Sequence, residues 1–106
     1  MPFDLNKIKP DALVCAGYKW LMGPYGSGLA YYGKYFDDGK PIEESWINRK
    51  GSDDFSNLIN YQDEYAKFAK RYSVGQQSNF INVEMLNEGI KQINKWGVDN
   101  VYNYIK

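Results

Sequence analysis

Histidine is absent from this chain, and cysteine occurs once, as Cys15. The first absence removes the Ser-His-Asp and Cys-His arrangements and the usual zinc-hydrolase ligands. The second excludes an intrachain disulfide and a multi-cysteine zinc site. Acid-base chemistry must therefore rest on lysine, tyrosine, aspartate, glutamate or an external cofactor. Neither sign of charge is in excess: 13 basic residues face 13 acidic ones over 106 residues. No bulk attraction to nucleic acid or to an anionic membrane is expected from that balance. No window approaches the apolar length of a membrane span, and the start, MPFDLNKIKP, lacks the apolar core of a signal peptide. The sequon Asn-x-Ser/Thr does not occur. A reducing, cytoplasmic setting is the expectation.

What the chain does have is aromatic surface: 17% of its residues, ten of them tyrosines. Its length is enough for one small domain, which would bury roughly two-thirds of the unfolded chain's surface. Residues 1–10 suggest an extended lead-in, with Pro2 and Pro10 opposing helix. Ala12–Cys15 is a short apolar run that predicts a buried strand, ended by Gly17. Tyr18–Met22 leads into Gly23-Pro24 and predicts a turn. Gly28–Tyr32 predicts a second buried strand, closed by Gly33. Residues 37–58 are polar and interrupted by Gly39, Pro41 and Gly51, an irregular stretch of a length that is usually functional or mobile. Trp46 and Ile47 within it imply that part of it docks on something. Tyr61, Tyr65, Phe68 and Tyr72 lie at helical spacing and predict a short helix, with an extended segment at residues 71–74.

The strongest periodicity runs from about Asn79 to Trp96. Val83, Leu86, Ile90 and Ile93 follow steps of three and four, Ser78 or Asn79 can cap the start, and Gly97 marks the end. Lys91 and Lys95 near that end complement the helix dipole. A second helix carries Val98, Val101, Tyr102 and Ile105 on one face. The expected fold class is thus α/β: two neighbouring strands near the start, a long irregular loop and two C-terminal helices. Two strands make a poor sheet alone. With the abrupt start and a final helix lacking a stop signal, this predicts part of a larger unit, with no second domain.

The segment from Asp11 to Tyr32, DALVCAGYKWLMGPYGSGLAYY, carries the clearest chemistry. Lys19 is the only charge between Asp11 and Lys34. Burial disfavours an ammonium, by up to about 3–5 pKa units when complete, and a neutral amine is what an aldehyde cofactor needs to form a Schiff base. The alternative is a lysine that snorkels out of the turn with its stem on Trp20. The glycines of Gly23-Pro24-Tyr25-Gly26-Ser27-Gly28 would let backbone amides approach a phosphate. Their order is neither the Rossmann fingerprint nor a P-loop, so a tight inter-strand connection is the better reading. Tyr31, Tyr32, Tyr35 and Phe36 suit core or interface packing rather than a base-stacking platform, because no basic excess accompanies them. The adjacent carboxylates Glu43-Glu44, Asp53-Asp54 and Asp63-Glu64 lack calcium-loop spacing and are expected to face water. Arg71 is a candidate partner for a carboxylate or phosphate, or for a surface ion pair.

These residues resemble a known family. Gly17-Tyr18-Lys19-Trp20-Leu21 followed by Gly23-Pro24-Tyr25-Gly26 is similar to the lysine motif of class V aminotransferases, a group that includes cysteine desulfurases, selenocysteine lyases, kynureninases and isopenicillin-N epimerases. PFDLNKIKPD looks like the segment that leads into that strand in the family. RYSVGQQSNF resembles a stretch reading roughly Arg-Phe-x-x-Gly-Thr, and the helix ending in Lys95-Trp96-Gly97 resembles the one that follows it. The similarity covers nearly the whole chain.

The resemblance implies a fold-type-I enzyme dependent on pyridoxal 5′-phosphate. Lys19 would hold the cofactor as a Schiff base and shuttle protons at the substrate Cα. Gly75 and Gln76 would align with a Gly-Thr pair that contacts the cofactor phosphate across a dimer interface. Gln76 stands where relatives have threonine, and Ala16 stands where many have a phosphate-binding serine. The aspartate for the pyridinium nitrogen, the residue stacked on the ring and the main phosphate loop would all lie upstream. The implied chain is the C-terminal part of a cofactor-binding major domain, residues 1–106. Its parent would be a homodimer acting on an amino acid by transamination, Cβ–S or Cβ–Se cleavage, or epimerisation, with no metal, nucleic acid or membrane involved. The other reading is a non-catalytic association module.

Overall fold

The computed structural model describes residues 2–75 and 79–106. The chain divides into two compact units, Met1–Ala30 with Ser78–Lys106, and Tyr31–Gln77. The first holds α1 (Leu5–Ile8), β1 (Ala12–Ala16), most of β2 (Gly28–Tyr32), α2 (Phe80–Trp96) and α3 (Val98–Ile105). β1 and β2 form a two-stranded antiparallel sheet. This is the mixed α/β arrangement of two neighbouring strands and two closing helices expected above.

Local chemistry accounts for these elements. Asn79 caps α2, its Oδ1 accepting from the Asn82 N–H at 3.1 Å, an orphan donor of the first turn otherwise left to water. Gly97 ends α2 and starts α3. Its φ of 82° is costly for any other residue. Its N–H donates to the Ile93 carbonyl at 2.9 Å, and its carbonyl accepts from the Val101 N–H at 3.0 Å. The lead-in is less extended than expected. Asp4 Oδ1 accepts from the Asn6 N–H at 2.9 Å and starts the single turn α1, which stops at Lys9 in the left-handed region, just before Pro10.

The first unit is held together by close approach rather than by a deep core. On α2 only Leu86 and Gly89 are buried. A Cβ added at Gly89 would stand 2.5 Å from the Leu21 carbonyl oxygen and 3.0 Å from that of Met22. The backbone of the turn at residues 19–22 therefore lies directly on the helix. At Gly23 an added Cβ would meet Leu86 Cδ1 at 2.6 Å, which seats the end of the same turn one helical turn away. Asn82 Nδ2 adds a hydrogen bond to the Tyr25 carbonyl at 3.3 Å.

Among its described residues the second unit has no long element. Its organising contact is a short antiparallel pairing of residues 48–50 with 64–66. The Ala66 N–H donates to the Asn48 carbonyl at 2.8 Å and the Lys50 N–H to the Glu64 carbonyl at 2.9 Å, around an Arg49–Tyr65 bridge. Asn48 is fully buried and donates through Nδ2 to the Glu43 carbonyl at 2.6 Å. Arg71 clasps two further carbonyls, Ala66 through Nε at 3.2 Å and Gly39 through Nη1 at 3.0 Å. Tyr72 stacks on Tyr32 with ring centres 4.6 Å apart, and its hydroxyl donates to the Phe36 carbonyl at 2.6 Å. Of the helix expected over residues 61–72, only Phe68–Tyr72 is helical, as a 3-10 turn. Tyr65 is drawn into the pairing with Arg49, which takes residues 64–66 out of any helix. The same turn replaces the extended conformation expected at Arg71 and Tyr72.

Burial departs from expectation in one consistent direction. β1 alternates exposed and half-buried residues, and β2 is exposed except at Tyr32. The two strands are thus apolar without being covered. The accessible surface is 8610 Å². Two fully separate compact units of half this mass would together expose only about 7,400 Å² by the area–mass scaling. Separating the units could only add to that excess, and the exposed apolar residues include Val14, Trp20, Leu29, Trp96 and Ile105.

Candidate functional site

Lys19 occupies the turn that follows β1, and a network of short bonds fixes that turn. The Gly17 N–H donates to the Ser27 carbonyl at 2.8 Å, the Gly23 N–H to the Gly17 carbonyl at 2.8 Å, and the Met22 N–H to the Lys19 carbonyl at 3.1 Å. Ser27 Oγ closes the Gly23–Gly28 connection by donating to the Pro24 carbonyl at 2.7 Å. A Cβ at Gly17 would sit 2.7 Å from the Ser27 carbonyl oxygen, so this pairing needs glycine there. Met22 takes φ of 54°, a left-handed conformation that is uncommon for a residue with a side chain. Gly89 and Gly23 then seat the turn on α2. The inter-strand connection expected from the glycines is what these residues form.

The side chains complete the site. Tyr18 and Tyr25 stack across the connection, ring centres 4.4 Å apart and nearly parallel at 19°. Lys19 Nζ lies 5.6 Å from the Tyr18 ring centre and pairs with no carboxylate among the described residues. Burial of Lys19, one of the two readings left open above, is not found: the residue is exposed. It stands on the edge of an open groove of about 740 Å³ in the first unit, walled by Trp20, Met22, Ile93, Trp96 and Tyr102 among others. Among the described residues, Lys19 is the one charged residue lining it. An uncommitted primary amine beside aromatic and aliphatic walls can condense with an aromatic aldehyde. It is also what a snorkelling lysine looks like.

Of the other residues carried by the resemblance, Gly75 lies in the second unit. The Gly75 N–H donates to Glu43 Oε1 at 2.7 Å. That amide already faces an anionic oxygen, and a phosphate reaching it would compete with the Glu43 carboxylate. Gln76 lies outside the described residues. Ala16, where a phosphate-binding serine would stand, ends β1 and is exposed.

The acidic pairs face water as expected but are engaged there. Glu44 accepts from the Tyr65 hydroxyl at 2.6 Å, bonds Arg49 Nη2 at 2.6 Å and lies 3.4 Å from Lys40. The tyrosine hydrogen bond, with help from both cations, holds its carboxyl below the ordinary 4.5, and the same bond raises the Tyr65 hydroxyl. Asp53 is lowered chiefly by its hydrogen bond from Lys70, and Glu64 by that from Lys50. Arg49 stacks over the Tyr65 ring at 4.2 Å, so the charges of this region neutralise one another in place. Arg71, a candidate anion partner from sequence, is committed to backbone carbonyls instead.

Two positioning features escaped the sequence reading. Gly89 sits inside a strongly periodic helix, and an isolated glycine in such a pattern often marks close backbone approach. Glu43, on the Gly75 amide, lies 32 residues away in sequence and leaves no local signal. No helix among the described residues is long and apolar enough to cross a membrane. Comparison with protein-family models, with curated proteins and with solved structures yields no match.

Proposed function

We propose that this chain is the lysine-bearing part of an enzyme that uses pyridoxal 5′-phosphate to transform an amino acid, and that the 106 residues alone are inactive. The carrying observation is Lys19: a primary amine without an ionic partner among the described residues, on a turn held rigidly against α2, at the edge of an apolar, aromatic groove. These residues fit the anchoring of an aromatic aldehyde. They supply little else the cofactor needs, since among the described residues the groove holds no acid for a ring nitrogen and no second cation for a phosphate. When bound, the cofactor supplies the electron sink. Lys19 would tether it and, once displaced by substrate, carry the proton at the substrate Cα. Trp20 and Trp96 would exclude water from one side. The remaining groups would come from another polypeptide segment that covers the exposed apolar surface. The parent would act by transamination, Cβ–S or Cβ–Se cleavage, or epimerisation.

Borohydride trapping tests the anchor. The chain is incubated with pyridoxal 5′-phosphate, reduced and mapped by mass spectrometry. Label is expected on Lys19 ahead of the other ten lysines, with no turnover of amino acids. Label spread evenly over the lysines would remove the support for this reading.

A second reading is favoured by the exposed apolar side chains: a non-catalytic association module, self-pairing included. Sedimentation velocity separates the two. A concentration-dependent dimer that Lys19→Ala leaves intact, together with evenly spread label, would favour association alone.

A further inference from the structure

A second concavity lies wholly within the other unit, formed by the contiguous residues 46–62. Its volume is about 350 Å³, at the lower end of the range for small-ligand sites. Trp46, Phe55 and Tyr61 line it, and all three are well exposed, at 45%, 77% and 57%. Trp46 and Phe55 meet at 75°, ring centres 6.2 Å apart, and make an aromatic corner rather than a closed stack.

Three side-chain amides share the groove: Asn57, Asn60 and Gln62. They hold one another in place. Asn60 Nδ2 donates to Asn57 Oδ1 at 2.5 Å, and Gln62 Nε2 donates to the Asn60 carbonyl at 3.1 Å. Among the described residues this leaves the Asn57 amino group as a donor and Asn60 Oδ1 and Gln62 Oε1 as acceptors. Neighbouring hydroxyls, each both donor and acceptor, match such a set. The cations at the edge are already neutralised, Arg49 by Glu44 at 2.6 Å and Lys50 by Glu64 at 2.7 Å. The groove therefore offers an anion little and a neutral, hydroxyl-bearing ring a great deal.

We propose that this groove binds a small neutral saccharide, one or two pyranose rings, with the apolar face of a ring against Trp46 and its hydroxyls on the amides of Asn57, Asn60 and Gln62. The site is open and small, so binding is weak, with a dissociation constant on the order of millimolar. It is independent of Lys19 and of any cofactor.

Nuclear magnetic resonance on the labelled full chain tests this. The probes are methyl pyranosides of glucose, galactose, mannose and N-acetylglucosamine and the corresponding disaccharides, with sodium phosphate as the anionic comparison. At least one sugar is expected to give saturable shifts at the Trp46 indole N–H and at the side-chain amides of residues 57, 60 and 62. Trp46→Ala should weaken it about tenfold or more through loss of the stacking face. Gln62→Ala, a change at an exposed position that should leave folding intact, should weaken it severalfold. Lys19→Ala should change nothing. Silence from every sugar at 50 mM would overturn the proposal. So would shifts that survive both groove substitutions, or phosphate binding the same residues more tightly. The Lys19 labelling result stands or falls separately.

Discussion

Replacing Gly89 by alanine sets two effects against each other, and the structure decides their sign. In an isolated helix the change is favourable, by about 1 kcal/mol, because alanine loses less backbone entropy than glycine. Here the new methyl would stand 2.5 Å from the Leu21 carbonyl oxygen and 3.0 Å from that of Met22. Both atoms belong to the backbone, so no rotamer change relieves the clash. Either the turn at residues 19–22 lifts from α2 or the helix moves back. Overpacking of this kind costs about 1–3 kcal/mol and occasionally more. With two fixed contacts the upper part of that range applies, and after the helical gain a net loss of about 1–2 kcal/mol remains. In a unit this small that lowers the melting temperature by roughly 4–8 °C for each kcal/mol. Thermal unfolding followed by circular dichroism measures it. Asn87→Ala, on an exposed position of the same helix, serves as the control and should be neutral or slightly stabilising. Hydrogen exchange adds a local readout: protection of the Met22 and Gly23 amides, both bonded within the turn, should fall in Gly89→Ala and stay unchanged in Asn87→Ala. A Gly89→Ala chain more stable than wild type, with those amides still protected, would refute the close approach and with it the rigid seating of Lys19.

Two further predictions concern the second unit. Asn48 is fully buried, and its amide is the donor to the Glu43 carbonyl. Asn48→Ala should cost about 1–3 kcal/mol in urea denaturation by leaving that carbonyl unpaired, and Asn48→Asp should cost more, since it buries a carboxylate against a carbonyl; equal stability of all three would refute the role. Glu44, Asp53 and Glu64 are held below their ordinary values by hydrogen bonds from Tyr65, Lys70 and Lys50, so the folded unit binds fewer protons than the unfolded chain as these groups titrate. Their contribution is complete above the ordinary carboxylate range and is lost as pH falls through the lowered values. The groups are exposed, so the loss should be modest and should shrink in high salt. Urea titrations near neutral pH and near pH 3, at low and high salt, measure it, and stability that rises on acidification would contradict the assignment.

What was legible in the sequence follows from how locally each feature is encoded. α2 and α3 could be read because a 3.6-residue period, an Asn79 cap and Gly97 are all written within a few residues of where they act. The turn bearing Lys19 could be read because Gly17, Gly23-Pro24 and Gly28 punctuate two apolar runs. The second unit could not, because its form depends on partners far apart in sequence. Arg49 pairs with Tyr65, Arg71 reaches Gly39 and Glu43 reaches Gly75. The tyrosine spacing at residues 61–72 was overruled by that pairing, since it commits the Ala66 N–H and the Glu64 carbonyl to residues 48–50 and away from a helix.

The burial of the strands was misjudged for a different reason, and it bears on the candidate site. An apolar run shows that a segment is suited to being covered, not that a cover is present in the same chain. β1 and β2 are apolar enough for a sheet interior and yet lie open. Lys19, in the turn that follows β1, is exposed as well. If another polypeptide segment closed over the groove that Lys19 lines, the amine would pass from water into apolar surroundings. Covering the groove and desolvating the lysine would in that case be one event, because Lys19 lines the same groove as Trp20 and Trp96.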